Sequence, residues 1–203
     1  PNLIKTNEEF HKMLTEGVDI GEYIDKDKNK RSGGKIYLVD FENIDNNDFL
    51  IVNQMKYHGT NRNSIPDIVV YVNGLPLSVI EAKSPKVSIA DAISDLSYYQ
   101  ENSQKLFYYN QICVGINKAK ALYGTIGSQF AHYSKYRLDD TSKLEELLEK
   151  TPTAQDSLIY ALFRKDKLLD IIRNFTIFEI EQGRTIKKLP RYQQLRAVNK
   201  ILH

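Results

Sequence analysis

Two carboxylates and a lysine fall within one short stretch of the chain: Asp67 directly after Pro66, and then the triplet Glu81-Ala82-Lys83. This is the only Asp/Glu-x-Lys triplet in the 203 residues. Hard carboxylate oxygens suit Mg²⁺, which binds through one or two carboxylates and keeps its other positions for water and phosphate oxygens. A nearby lysine offers a compact positive charge to an attacking water or to the scissile phosphate. The chemistry open to this trio is therefore metal-assisted hydrolysis of a phosphodiester. About one such acid … acid-x-Lys match is expected by chance in a chain this size. What decides its meaning is where the chain's elements place the three residues.

The apolar runs 68–72 and 77–80 flank Asn73-Gly74, the strongest hairpin signal in the sequence. Side chains alternate along a strand, so Glu81 and Lys83 point the same way. A two-residue turn would pair Asp67 with Ile80 and send Glu81 to the other face. A three-residue loop, Val72-Asn73-Gly74, pairs Asp67 with Val79 and brings Asp67, Glu81 and Lys83 to one face, with Gly74 in the left-handed position. The register argument predicts this three-residue loop, with Asp67 and Glu81 as diagonal neighbours about 7–8 Å apart. The alternative is a solvent-facing hairpin in which Asp67 starts a turn and Glu81–Lys83 is a solvated pair. Against it stand the long apolar runs on both strands, which argue for burial, where an idle charged cluster is expensive.

The surrounding elements must hold that hairpin. Phe10, Met13 and Leu14 share one face of a first helix capped by Asn7. A charged loop covers 25–34, and β-like runs follow at 35–39 and 49–52. Ser88 caps a helix carrying Ile89, Ala92, Ile93 and Leu96 at helical spacing. A strand at 111–116 leads into a second hairpin with 121–125. Helical patterns run from about residue 138, a last strand is expected at 175–178, and a closing helix at 192–202. This order predicts an α/β fold: a mixed β-sheet flanked by helices, with the catalytic residues on a central hairpin.

Composition bounds the function. Lys plus Arg number 28 against 26 Asp plus Glu, a net charge of +2, with 41% hydrophobic and 27% charged residues. That is a globular balance, and it excludes an evenly basic coat while leaving room for a local patch. No apolar run approaches the ~18–20 residues of a membrane span. The first residues show no export signal, and Cys113 stands alone, which excludes an intrachain disulfide and a multi-cysteine zinc site. The expectation is a cytoplasmic protein with no membrane partner.

The stretch from Pro66 to Lys83, PDIVVYVNGLPLSVIEAK, closely resembles the N-terminal region of the type I restriction enzyme R subunit, a PD-(D/E)xK nuclease ahead of a DNA-translocating motor. The likeness extends over roughly residues 40–126, through Phe41-Glu42-Asn43, Leu106-Phe107-Tyr108-Tyr109 and Ala121-Leu122-Tyr123-Gly124. The resemblance implies a restriction-endonuclease-like fold and Mg²⁺-dependent cleavage of double-stranded DNA. It also implies an ATP-driven complex with modification and specificity subunits. By the family motif, Asp67, Glu81 and the Ala82 carbonyl would hold the metal and Lys83 would assist the hydrolytic water. The family's Gln-x-x-x-Tyr motif falls on Asp95-Leu96-Ser97-Tyr98-Tyr99. Tyr99 matches, but Asp95 replaces the glutamine. Asp95 is then an added ligand, a neutral acid or a helix-surface residue, and Gln100 is a candidate for the lost amide role. Glu8 and Glu9 are further carboxylate candidates, because some nucleases of this superfamily draw one from the first helix.

Residues 189–198 resemble the R-Y-Q segment that opens the family's helicase motor. The expected division is therefore an endonuclease domain over 1–180, with a linker and the motor's first helix over 181–203. No G-x-x-x-x-G-K-[ST] phosphate loop is present, so ATP belongs to a longer subunit and not to these residues. Basic residues cluster at Lys26, Lys28, Lys30 and Arg31, at Lys118 and Lys120, and at Lys187, Lys188 and Arg191. Lys118 and Lys120 are the first candidates for phosphate contacts, because their turn follows a strand expected to adjoin the active sheet.

Overall fold

A computed structural model describes residues 2–59 and 62–202. The hairpin at its centre turns on Asn73 and Gly74, whose φ angles are both positive, 50° and 78°. Such a pair makes a two-residue turn, and Val72 faces Leu75 across it. Asn73 ties the turn down: Oδ1 accepts the Asp48 N–H at 2.8 Å and Nδ2 donates to the Leu38 carbonyl at 2.9 Å. The three-residue loop expected from register is thus replaced by a two-residue turn.

The register changes further along instead. Tyr71 faces Pro76 while Val70 faces Ser78, so Leu77 is an extra residue on the second strand. Pro76 explains the position of this bulge, because it has no N–H to give a ladder and prolines inside sheets collect at edges and bulges. Ile68 then faces Ile80, and one more step places Asp67 opposite Glu81. The two acids are directly opposed, with α-carbons about 4.5–5.5 Å apart by sheet geometry, where a diagonal pair was expected.

The chain begins with α1 (Leu3–Glu16) and four short strands, β1 (Val18–Ile20), β2 (Tyr23–Ile24), β3 (Lys30–Arg31) and β4 (Gly34–Ile36). It continues through β5 (Phe49–Asn53), β6 (Ile68–Val72), β7 (Leu75–Ala82), α2 (Ile89–Asn102), α3 (Gln104–Phe107), β8 (Ile112–Ile116), β9 (Ala121–Gly124) and β10 (Ser134–Lys135). Helices α4 (Ser142–Leu148), α5 (Ala154–Leu162) and α6 (Lys165–Asn174) precede the hairpin β11 (Ile177–Glu181) and β12 (Arg184–Lys188), and α7 (Tyr192–Leu202) closes the chain. The main sheet has six strands in the order β10-β9-β8-β7-β6-β5, antiparallel except for the parallel β7–β8 pair that α2 connects. This is the mixed, helix-flanked, restriction-endonuclease-like sheet that the sequence predicts.

Both sheet faces are dry. On one, α2 lays Ile93 and Leu96 over Val69, Val79 and Cys113. On the other, Leu158, Leu162, Leu168 and Ile172 of α5 and α6 cover Val70, Ile80, Ile112 and Val114. Each such buried aliphatic side chain is worth about 1.5–3 kcal/mol in transfer from water. α2 sits close to the sheet because β8 has Gly115 beneath it, where a Cβ would come within 3.3 Å of Ala92 and Ile93.

Several boundaries differ from expectation. Asn2, not Asn7, caps α1 by accepting the N–H groups of Ile4 and Lys5. Asn7 is buried inside the helix and donates to the carbonyls of Phe107, Tyr108 and Asn110. Of the run 35–39 only the start is a strand, and it pairs with β1 outside the main sheet. The loop 25–34 contains β3, which pairs back onto β2 just before it, and Asp25 cinches the turn between them. The β11–β12 hairpin runs across residue 180, and Lys187 at its end is buried. Its ammonium donates to Asn7 Oδ1 and Gln111 Oε1, both at 2.8 Å, and to the Asn110 carbonyl at 3.1 Å, so the residues just after 180 pack into the same core.

Candidate active site

Glu81, Ala82 and Lys83 leave the sheet at the C-terminal end of β7. The Lys83 N–H bonds the Ile116 carbonyl at 2.8 Å, which extends the parallel pairing by one step and fixes the strand's exit. Asp67 enters from the opposite strand, and its Oδ2 accepts the Ala82 N–H at 2.9 Å. Alternation and the bulge together put all three side chains on the α2 face. The structure therefore brings together the three residues singled out by type and spacing.

Glu81 is 4% exposed. Lys83 Nζ donates to its Oε1 at 2.8 Å, while its buried Oε2 has no hydrogen-bond partner. Burial raises the Glu81 pKa above the ordinary carboxylate range, the Lys83 hydrogen bond opposes this, and the Asp67 charge adds to the rise. A buried carboxylate oxygen without a partner is costly unless a cation completes it. Glu81 Oε2, with the Asp67 carboxylate opposite and the carbonyl of Ala82 next in sequence, is a hard all-oxygen donor set of the kind Mg²⁺ takes. These residues fit a divalent ion. Among the described residues no group of three or more His, Cys, Asp or Glu side chains is arranged to hold a metal ion.

From α2, Asp95 forms an ion pair with Lys83, whose ammonium it shares with Glu81. Burial alone would lower the Lys83 pKa, but the hydrogen bonds to Asp95 and Glu81 outweigh it and hold the group protonated above its usual range. Tyr99, one helical turn after Asp95, faces the same space and donates to the Ile65 carbonyl at 3.5 Å. Burial, then the charges of Glu81 and Asp95, raise its pKa and keep it a neutral phenol.

Other candidates fall elsewhere. Gln100 is buried, its amide donating to the Leu96 carbonyl and its oxygen accepting the Gly127 N–H at 2.7 Å. It is fully engaged in the fold and does not take the missing amide's place or reach DNA. Glu8 and Glu9 ride on α1, which Asn7 fastens to the carbonyls just before β8, whereas Lys83 lies at the other end of that strand. Lys30 and Arg31 are spent on Glu22 (2.5 Å) and Asp25 (2.7 Å). Lys188 pairs with Glu179 and Glu181, and Lys187 is buried, so neither is a free phosphate contact. Lys118 and Lys120 are exposed on the β8–β9 turn, which sits beside the exit of β7 and is held to it by Asn117 Nδ2 donating to the Val87 carbonyl at 2.8 Å. The Asp95–Lys83 pair is what sequence reasoning missed. The available signal was the shared helical face of Asp95 and Tyr99 beside the sheet-packed Ala92 and Leu96.

The family profile described as type I restriction enzyme R protein N terminus matches residues 1–132, well over half the chain. The chain belongs to that family. Over 203 aligned residues it is 34% identical to the type I restriction enzyme HindI endonuclease subunit of Haemophilus influenzae, covering 98% of this chain and 19% of that relative. The MjaVIIIP endonuclease subunit of Methanocaldococcus jannaschii is 31% identical over 181 residues, 87% of this chain and 17% of the relative. The EcoprrI endonuclease subunit of Escherichia coli is 29% identical over 182 residues, 82% of this chain and 52% of the relative. The chain thus spans under a fifth of the first two relatives. Within the type I restriction enzyme R protein family, the Asp67–Glu81–Lys83 cluster occupies the portion shared with proteins named as endonuclease subunits. No helix among the described residues is long and apolar enough to cross a membrane.

Proposed function

We propose that this chain is the Mg²⁺-dependent endonuclease part of a type I restriction R subunit, hydrolysing phosphodiester bonds of double-stranded DNA. One observation carries the reading most: Glu81 places a buried, unpartnered carboxylate oxygen on the face it shares with Asp67 and Lys83. In this reading Asp67, Glu81 and the Ala82 carbonyl hold the ion. When bound, Mg²⁺ would polarise the scissile phosphate and make a coordinated water more acidic.

The chain's own residues supply the rest. Lys83, kept protonated by its two carboxylate neighbours, presents N–H donors to the water or to a non-bridging phosphate oxygen. Tyr99 keeps its phenolic proton and is a neutral donor at the rim. The Ala82 N–H donated to Asp67 orients that carboxylate, and the Lys83 N–H donated to the Ile116 carbonyl fixes the peptide whose Ala82 carbonyl would be offered to the ion. The products would be a 5′-phosphate and a 3′-hydroxyl. ATP hydrolysis and translocation would belong to other parts of the full subunit, and modification and specificity subunits would be its partners in a cytoplasmic complex.

The Asp95–Lys83 pair supports a second reading, in which the centre is damped and the domain acts chiefly as an accessory DNA-binding or subunit-docking module. Plasmid cleavage by the assembled R subunit separates the two. The nuclease reading expects nicking that needs Mg²⁺, stops with EDTA and leaves 5′-phosphate ends that ligase reseals. A fully assembled, ATP-hydrolysing complex that never nicks DNA would favour the accessory reading.

A further inference from the structure

The strand ends gather more than the catalytic residues at one edge of the molecule. Asn53 faces Ile68, Ile68 faces Ile80, Ala82 faces Ile116 and Ile116 faces Ala121. The β5–β6 connection, the exit of β7 and the β8–β9 turn therefore all open at the same end of the sheet. The site lies between the connection and the turn. About three strand spacings separate these two loops, roughly 14 Å.

Both loops lack acids. Between Asn53 and Pro66 there is no Asp or Glu, and none occurs from Asn102 through Leu138, in a chain with 26 acids. The connection carries Lys56, His58 and Arg62, all exposed. No ion pair among the described residues involves any of them, in contrast with Lys30, Arg31 and Lys188.

The connection is also built into place. Gln54 donates its N–H to the Asp67 carbonyl at 3.0 Å, and Tyr57 and Ser64 pair through both backbone bonds. Tyr57 and Tyr71 join through their hydroxyls. Ser64 and Ser103 join through theirs at 2.7 Å, and both serines are buried. Gly59 lies so close to the end of α2 that a Cβ there would collide with the carbonyl oxygens of Asn102 and Arg62. Along α2, Asp95 meets Lys83, Tyr99 meets Ile65 and Asn102 meets Gly59. Seven residues of helix rise about 10 Å, the span of about three phosphates along one DNA strand.

We propose that the limbs 54–59 and 62–66 form a fixed cationic rail for the phosphate backbone of duplex DNA, with Lys56, His58 and Arg62 as its contacts. Lys118 and Lys120 form the opposing rail across the site. The spacing of the two rails is on the scale of the ~12 Å major groove, so each rail meets a different stretch of backbone while the scissile phosphate sits between them. This rests on the nuclease reading for its substrate but not for its geometry.

The test is fluorescence anisotropy of the 203-residue chain with a labelled blunt duplex, without divalent ions, across a salt series. Lys56→Gln and Arg62→Gln should each weaken binding and lower the slope of log K against log[salt] by about 0.9, one phosphate contact apiece. Lys118→Gln with Lys120→Gln should do the same from the other side, and Lys30→Gln, whose ammonium already pairs with Glu22, should leave that slope in place. Circular dichroism confirms that each variant is folded. An unchanged slope in Lys56→Gln and Arg62→Gln, or no salt-dependent binding by the wild-type chain, would overturn the rail. Cleavage by the assembled subunit is scored separately. Loop-dependent binding without cleavage sinks the nuclease reading alone, and cleavage with unaltered binding in the loop variants sinks the rail alone.

Discussion

Lys83 is shared between Glu81, two residues before it on the same strand, and Asp95 on the helix that covers the sheet. One ammonium therefore serves two carboxylates on two elements. In the proposed nuclease reading, the charge offered to a phosphate is already occupied at rest, and a substrate must draw it away.

Freeing Lys83 should consequently help. The Asp95 side chain is 42% exposed, and partly solvated pairs are worth about 0.2–1 kcal/mol. Asp95→Gln is expected to raise Mg²⁺-dependent nicking by up to about fivefold, the rate equivalent of ~1 kcal/mol. A fall in rate would show instead that Asp95 aims the lysine productively, and an unchanged rate would show the pair does not matter in the working site.

The turn should be sensitive in a different way. Gly74 sits at φ 78°, and an L side chain in the left-handed region costs about 1–2 kcal/mol. Gly74→Val is expected to lower the unfolding free energy by that amount, read as a lower urea midpoint with no change in the slope of unfolding. No loss of stability would contradict the two-residue turn.

Away from the site, His11 is buried with Nδ1 2.9 Å from Gln111 Oε1. Burial, then the Lys187 charge, lower its pKa to about 4, against the opposing Gln111 hydrogen bond. Between that value and the ordinary ~6.5 the unfolded chain binds more protons. Stability is then fully present above ~6.5 and is lost as pH falls towards 4, by up to about 3 kcal/mol. Urea midpoints from pH 7.5 down to 4.5 should drop less steeply for His11→Gln than for the wild type. Parallel pH profiles would refute the assignment.

How far the sequence carried these conclusions depends on the residue. The hairpin was legible because 68–72 and 77–80 are apolar on either side of Asn73-Gly74, and the shared face was legible because alternation fixes parity. The device that achieves it was not. A three-residue loop and a two-residue turn with one bulge give the same parity, and only Pro76, which cannot donate to a ladder, distinguishes them. Asn7 reads as a cap by type, yet its amide satisfies three carbonyls a hundred residues away, a tertiary demand that no local pattern reports. Gln100 was misplaced for the same reason: on α2 it points about 100° away from Tyr99, and its oxygen is committed to Gly127. The cations at 54–66 passed unnoticed because they are spread thinly along the sequence and converge only through the sheet's topology.

The account stands or falls on Asp67, Glu81 and Lys83 forming a hydrolytic centre distinct from any motor. Supercoiled plasmid, Mg²⁺ and ATP are given to the R subunit assembled with its partner subunits, and nicking is compared with translocation for the wild type, Asp67→Ala and Lys83→Ala. The expected result is loss of cleavage in both variants with ATP-driven translocation retained. Undiminished cleavage in either would contradict the assignment.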